Sequence, residues 1–548
     1  MPFPSFLRSY VASFSFVGLT VATLFFALSL TPSLLPRTYP VQGALSGLAL
    51  AVGYGLGVLG VWVWHYLELP KPNGRIVRFG RWATIVAALL VAAFFLWRMT
   101  IWQNSIRDLM EMPLLETAHP WRVGLIAGIV AILLVACGRL FGYACRWAAQ
   151  TLNRVVPRRI SNVAGVLIIG TLLLTFINGV VVRQALYLAD QAFADLDALV
   201  EYGVEQPADP LASGSPASLI DWDTIGRRGK DFIARGPSPE DLSAFSGKPA
   251  ERPLRIYVGL KSRESEQARA ELALAELKRV GAFERSVLIV ASPTGTGWLD
   301  PSATDTLEYI HNGDTAIVTM AYSYLPSWIT ILIDPDRSRS QARALFDVVY
   351  PYWTSLPKEN RPRLYLHGLS LGSLGSEAAA DLIFMLKDLI HGAVWSGPPF
   401  PSRTWSAITR ARNPNSPAWL PRFRDGSLIR FTARENALDL PSAEWGPVRA
   451  VYIQHASDPM VFFSPDLLFK RPDWLIGARG PDVSPYLQWV PIVSFLQIGF
   501  DLPMATSVPI GYGHNYAPAA YIDAWVEVTD PEGWTAADTE RLKRRFVK

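Results

Sequence analysis

Five apolar stretches dominate the first third of the chain, and each is close to the ~20 residues an α-helix needs to cross the hydrocarbon of a bilayer. They run from about Val11 to Leu30, Gly43 to His65, Trp82 to Trp102, Val123 to Trp147 and Ile160 to Val182. Nothing of similar length follows residue 185, so the sequence predicts an α-helical transmembrane domain over residues 1–185 joined to a soluble half. At 548 residues the chain is too long for one ordinary domain, and this uneven distribution accounts for a hydrophobic content of 50%.

Charge divides along the same line. Residues 1–185 hold 15 Lys and Arg against 4 Asp and Glu, a balance of +11; the remainder holds 36 against 43, a balance of −7. In the membrane half the cations cluster in alternate loops: Lys71, Arg75, Arg78 and Arg81 after the second stretch, Arg146, Arg154, Arg158 and Arg159 after the fourth. Loops of that kind face the cytoplasm. The loop with only Arg37, the loop that mixes Arg107 with Asp108, Glu111 and Glu116, and the acidic segment after the fifth stretch (Asp190, Asp195, Asp197, Glu201) then face outward. The expectation is a multi-pass protein of the cytoplasmic membrane with a cytoplasmic N-terminus, an uncleaved first span and an extracytoplasmic soluble half. Arg98 and Arg139 lie near span ends from which both can snorkel, so the spans read as an anchor rather than an ion or proton pathway.

After the last span, Ala189, Ala192, Phe193, Leu196 and Val200 recur at helical spacing, and Gly203 to Pro216 is rich in Pro, Gly, Ala and Ser. Residues 186–250 therefore read as an amphipathic helix and a linker. The acidic soluble half argues against a nucleic-acid partner, which needs concentrated Lys and Arg. Both cysteines, Cys137 and Cys145, fall in the fourth apolar stretch, leaving no disulfide framework or thiolate metal cluster for the soluble half. It also has no dinucleotide fingerprint, no P-loop and no His or Cys cluster at metal-ligand spacing, so no cofactor is expected.

From residue 251 onward short apolar runs alternate with helical patterns: Leu254–Val258, Ser286–Val290, Ala316–Ala321, Arg363–His367, Gly392–Ser396 and Arg449–Gln454. Runs of this length suit strands buried on both faces, and their alternation with helices predicts a mostly parallel sheet with helices on both sides. Reactive groups in such sheets sit on loops at the carboxyl ends of strands.

One of these loops reads Gly368-Leu369-Ser370-Leu371-Gly372, between a strand and a predicted helix over Ser376–Lys387. Strand, G-x-S-x-G, helix is the context of a nucleophile elbow, whose turn is too tight for side chains at the glycines. A serine hydroxyl needs an imidazole to take its proton and a carboxylate to orient that imidazole. His391, His455 and His514 lie downstream; His391 precedes a strand and His455 ends one, whereas His514 stands in a glycine-flanked loop, Gly511-Tyr512-Gly513-His514-Asn515-Tyr516. His514 is the candidate base. Asp458, directly after the Arg449–Gln454 run, is the candidate acid, with Asp466, Asp473 and Asp501 as competitors. Developing oxyanion charge calls for two backbone donors, one from Leu371 and one from Thr294 or Gly295 in the loop after the second run.

Two insertions flank this constellation. The first, about 399–447, carries Trp405, Trp419, Phe423 and Trp445 among Arg403, Arg410, Arg412, Arg422, Arg424 and Arg430, and reads equally as a lid or as a basic face over a small satellite core. The second, Phe462 to Pro509, is aromatic and proline-rich and suits the wall of a greasy pocket.

Ser29-Leu30-Thr31-Pro32-Ser33-Leu34-Leu35-Pro36-Arg37, His367 to Gly372, Ser457-Asp458-Pro459 and Gly511 to His514 together resemble a bacterial family of membrane α/β-hydrolases that couple several N-terminal spans to a C-terminal serine-hydrolase domain. The resemblance covers nearly the whole chain. It implies an α/β-hydrolase domain over 251–548 with a Ser-His-Asp triad, and it implies little about substrate. The proline-rich Thr31–Pro36 segment is expected at the outer membrane surface, where it either docks the hydrolase or rigidly connects two spans. The expected function is cleavage of an ester, lipid-like given the location, by a membrane-anchored serine hydrolase through an acyl-enzyme on Ser370. Acyl transfer by the same residues and a non-catalytic membrane scaffold are the alternatives.

Overall fold

The computed structural model describes residues 13–70, 74–182, 204–380 and 388–547, with the isolated positions 184, 188, 192 and 197. The expected amphipathic helix around Ala189–Val200 and the far end of the helix expected over Ser376–Lys387 lie largely outside the described residues. The chain forms two compact units: Met1–Leu186 with Phe463–Leu475 and Pro481–Met504, and Tyr187–Phe462 with Ile476–Gly480 and Ala505–Lys548.

In the first unit five helices follow the apolar stretches: α1 (Phe16–Ser29), α2 (Tyr39–Tyr66), α3 (Gly74–Leu109), α4 (Pro120–Leu152) and α5 (Arg158–Phe176). Four segments, Tyr39–Tyr66, Phe79–Leu109, Pro120–Leu152 and Arg158–Val180, are long and apolar enough to cross a membrane. The fifth expected span is represented by α1, a shorter apolar helix of 14 residues. Small residues let these helices approach. A Cβ on Gly57 of α2 would stand 2.7 Å from the Gly18 Cα of α1, and one on Gly47 would stand 2.6 Å from Val130 of α4. Close backbone approach at glycine is how helices associate where no hydrophobic effect drives them together. Phe26, Leu30, Met99, Trp102, Val123 and Ala127 form the unit's buried core.

The second insertion divides unexpectedly. Phe463–Leu475 and Pro481–Met504 belong to the unit that holds the apolar helices, although the sequence places them inside the soluble half. Buried polar bonds explain the assignment. Gln497 Nε2 donates to the Thr31 carbonyl at 2.9 Å, and Arg37 Nε donates to Asp501 Oδ1 at 2.9 Å with both side chains fully out of solvent. Removing one member of such a pair leaves a buried charge without compensation, at a cost of about 3–5 kcal/mol.

The second unit holds a seven-stranded sheet: β1 (Leu254–Val258), β2 (Val287–Ser292), β3 (Thr315–Met320), β4 (Arg363–Leu369), β5 (Gly392–Ser396), β6 (Ile429–Thr432) and β7 (Arg449–Ile453). Their order is β1-β3-β2-β4-β5-β7-β6 and every pairing is parallel. β1, β2, β3 and β5 are buried at every position, which is why they read as continuous apolar runs rather than alternating ones. Helices Glu266–Arg279, Asp336–Ser355 and Leu371–Ala379 pack together in one layer, and Pro301–Ile310 packs with Pro518–Thr529 in another.

β6 was not expected, and it lies within the insertion read as a lid. Its sequence Ile-Arg-Phe-Thr is short, and Arg430 interrupts the apolar pattern. That arginine is nevertheless buried, because Nε, Nη1 and Nη2 donate to the carbonyls of Gly426, Leu438 and Ala443 and its guanidinium lies over Trp445. Trp405 is also buried, with Nε1 donating to Gln454 Oε1 at 2.7 Å. The residues of 399–447 thus include an edge strand and buried side chains, among them Trp405, that are tied to the rest of the domain.

Candidate active site

Ser370 follows β4 and heads the helix Leu371–Ala379 with φ 60° and ψ −126°. A non-glycine residue in that region is strained by about 1–3 kcal/mol and persists only where its surroundings over-determine it. Here they do. The Ser370 N–H donates to the Ser396 carbonyl at the end of β5 at 3.0 Å, and Ser338 Oγ donates to the Leu371 carbonyl. Neither flanking glycine could bear a side chain: a Cβ on Gly368 would stand 2.3 Å from the backbone of Gly372, and one on Gly372 would stand 2.1 Å from the Ser292 carbonyl oxygen. The elbow is therefore wedged between its own helix and the loop after β2.

Asp458 sits just beyond β7 and is wholly buried. Its Oδ1 accepts the Met460 N–H at 2.8 Å, and its Oδ2 lies 2.6 Å from His514 Nδ1. The structure thus brings Asp458 and His514 together. With Nδ1 facing the carboxylate, Nε2 is the ring nitrogen left for any other partner. That Nε2 and the Ser370 Oγ are both buried and hydrogen-bonded to nothing among the described residues. The His514 loop is fixed from the segment after β7 by two bonds at Gly513, whose N–H donates to Ser457 Oγ at 2.9 Å and whose carbonyl lies 2.9 Å from His455 Nδ1.

Two further residues shape the histidine, and the sequence reading did not single them out. Tyr516 donates its hydroxyl to Asp458 Oδ2 at 2.6 Å, the same oxygen that faces His514. Burial and the adjacent carboxylate push the tyrosine's pKa well up, so it remains a donor. Gly397, just after β5, has φ 53°, and a Cβ there would stand 2.5 Å from His514 Cε1 and 2.9 Å from Nδ1. The position of Tyr516 two residues past the histidine was visible in the sequence, but its direction toward Asp458 was not.

The remaining candidates fall elsewhere. His391 Nδ1 accepts the Leu364 N–H at 3.1 Å and packs edge-on against Trp353, a structural role at the start of β5. Asp501 pairs with Arg37, and Asp466 and Asp473 belong to the other unit. Leu371 opens its helix, so its N–H has no intrahelical acceptor. The two residues expected to supply the second oxyanion donor both have acceptors here: the Thr294 N–H donates to the Trp298 carbonyl at 2.9 Å and the Gly295 N–H to Ser327 Oγ at 3.0 Å. An amide hydrogen already committed to an acceptor is not open to a substrate oxygen, so in this conformation neither residue offers one. Among the described residues no group of His, Cys, Asp and Glu is placed to hold a metal ion.

A seven-stranded parallel sheet flanked by helices, with a strained serine elbow at the end of its central strand, is the architecture of the α/β-hydrolase fold. The sequence profile of the alpha/beta-hydrolase family matches residues 254–542, and that of the same family's N-terminal region matches residues 30–237. The chain belongs to this family. No curated protein and no solved structure matches it.

Proposed function

We propose that the chain is a membrane-anchored serine hydrolase that cleaves a lipid-like ester through an acyl-enzyme on Ser370. The observation that carries this reading is the 2.6 Å bond between His514 Nδ1 and Asp458 Oδ2, which leaves a buried, unbonded Nε2, with the strained Ser370 bonded through its N–H to Ser396, the neighbour of the Gly397 that packs on the His514 ring. Ser370 Oγ attacks the ester carbonyl carbon while His514 Nε2 takes the hydroxyl proton, and Asp458 stabilises the imidazolium that forms. The Leu371 N–H stabilises the oxyanion. Gly295 is the better second donor of the two expected, because its present acceptor is a hydroxyl that can rotate away. Collapse of the tetrahedral intermediate breaks the C–O bond, and the leaving alcohol takes the proton from Nε2. Water, deprotonated by His514 Nε2, then attacks the acyl carbon; the bond to Ser370 Oγ breaks, Oγ takes that proton from the imidazolium, and the acid is released.

The four long apolar helices support a location in a membrane. The cationic loops support a cytoplasmic N-terminus and an extracytoplasmic hydrolase domain in the cytoplasmic membrane. A substrate drawn from the bilayer suits that location. Fluorophosphonate labelling of the purified full-length protein in nanodiscs tests the mechanism. Wild type is expected to label, and Ser370→Ala and His514→Ala are expected not to; a folded wild type that fails to label would remove the serine-hydrolase reading.

A further inference from the structure

Where the buried Arg37–Asp501 pair falls in the chain links it to the histidine loop. Arg37 closes the Ser29–Arg37 segment, and Asp501 closes the helix Val493–Asp501. The carboxylate also accepts the Leu34 N–H at 3.2 Å, and the guanidinium donates to Gln42 Oε1 at 3.1 Å and to the Gln497 carbonyl at 3.2 Å. Asp501 is therefore held from several sides inside the N-terminal unit. A single 3-10 turn, Leu502–Met504, follows it.

The next residue, Ala505, accepts the His514 N–H on its carbonyl at 2.8 Å. Asn515 Nδ2 donates to the carbonyls of Thr506 at 3.1 Å and Val508 at 2.7 Å, and the Gly511 N–H donates to the Asn515 carbonyl at 2.7 Å. The segment 505–515 is thus closed on itself, with its first residue bonded to the backbone of the candidate base. Each of these bonds lies within one unit, and the peptide chain from Asp501 to Ala505 joins the two sets.

We propose that Arg37 is a positioning residue for His514: by fixing Asp501 it fixes the start of the loop, and through Ala505 it fixes the backbone of the imidazole. The proposal rests on the assignment of His514 as base. The segment after β7 ties the loop at Gly513, and the chain from Asp501 enters it at Ala505. Activity of the hydrolase domain then depends on the segment that follows the first apolar helix, even though that segment takes no part in the chemistry.

The test uses full-length protein in nanodiscs and measures fluorophosphonate labelling over a range of probe concentrations, which separates the maximal labelling rate from probe affinity. Asp501→Asn weakens the pair but leaves a buried guanidinium and can unfold the unit. A second variant, with Gly-Ser-Gly inserted between Met504 and Ala505, keeps the pair and breaks its mechanical link to the loop. Both variants are expected to lower the maximal rate about 10- to 100-fold, the scale of a 1 Å misplacement of a catalytic group, with probe affinity unchanged. A wild-type maximal rate in the insertion variant overturns the proposal, whatever Asp501→Asn does, because the pair would then serve only the fold of its own unit. Failure of wild type itself to label removes the catalytic assignment instead, and is told apart by that control.

Discussion

Gly397→Ala puts a methyl group where the structure leaves no room. The added Cβ would stand 2.5 Å from His514 Cε1, 2.9 Å from Nδ1 and 3.0 Å from the Tyr516 ring. Ordinary contact begins near 3.4 Å, so the imidazole must retreat by roughly 1 Å, and misplacement on that scale costs about a hundredfold in rate, or about 2.7 kcal/mol of transition-state stabilisation. A separate backbone cost of about 1–2 kcal/mol arises because alanine at φ 53° lies in the left-handed region. Gly477→Ala separates the two effects, since Gly477 has φ 81° and a Cβ added there would meet nothing within 4 Å. Thermal unfolding should show a similar loss of stability in both variants. The maximal rate of fluorophosphonate labelling should fall only in Gly397→Ala. A folded Gly397→Ala that labels at the wild-type rate would refute the inference that this glycine makes room for a working histidine.

Tyr516→Phe removes the hydroxyl that shares Asp458 Oδ2 with His514, and is expected to lower kcat/KM by about tenfold, the worth of one hydrogen bond to a charged group; an unchanged value would make the bond a packing feature. Glu377, buried in the helix after Ser370, has its carboxyl pushed by burial up to about 8. Its stabilising contribution is therefore full below its ordinary pKa of 4.5 and is lost as pH rises toward 8. Glu377→Gln should show a flatter pH dependence of Tm and a gain over wild type of a few kcal/mol near pH 8, whereas parallel Tm profiles for the two proteins would contradict it. In the N-terminal unit, Gly57→Leu should force α1 and α2 apart and reduce the yield of folded protein, while Gly55→Leu, with nothing within 4 Å of its Cβ, should be tolerated; equal behaviour of the two would argue against the close helix contact.

Local pattern made much of this protein legible. A serine between two glycines after an apolar run, a histidine in a glycine-flanked loop and an aspartate directly after a late strand are each set by a few neighbouring residues. The strand and helix alternation that places them at one edge of the sheet is equally local. β6 escaped because its central arginine, satisfied by three carbonyls, reads as polar until those carbonyls are seen. For the oxyanion amides expected at Thr294 and Gly295, which carbonyl or hydroxyl each N–H meets depends on Trp298 and Ser327 folding back onto that loop.

Short segments were enough to establish that an apolar helical half precedes a parallel α/β half, and to single out Ser370, Asp458 and His514. Hydrophobic period, chain order and turn chemistry can all be read a few residues at a time. Long-range packing settled that Asp501, a rival for the role of acid, pairs instead with Arg37, a residue 464 positions away, and that Phe463–Leu475 and Pro481–Met504 join the helical unit. It also settled that Gly397 and Tyr516 set the room and the hydrogen bonding of His514. Those outcomes depend on which buried charge meets which partner and on a few tenths of an ångström of space around an imidazole. Both quantities exist only once distant segments have packed together.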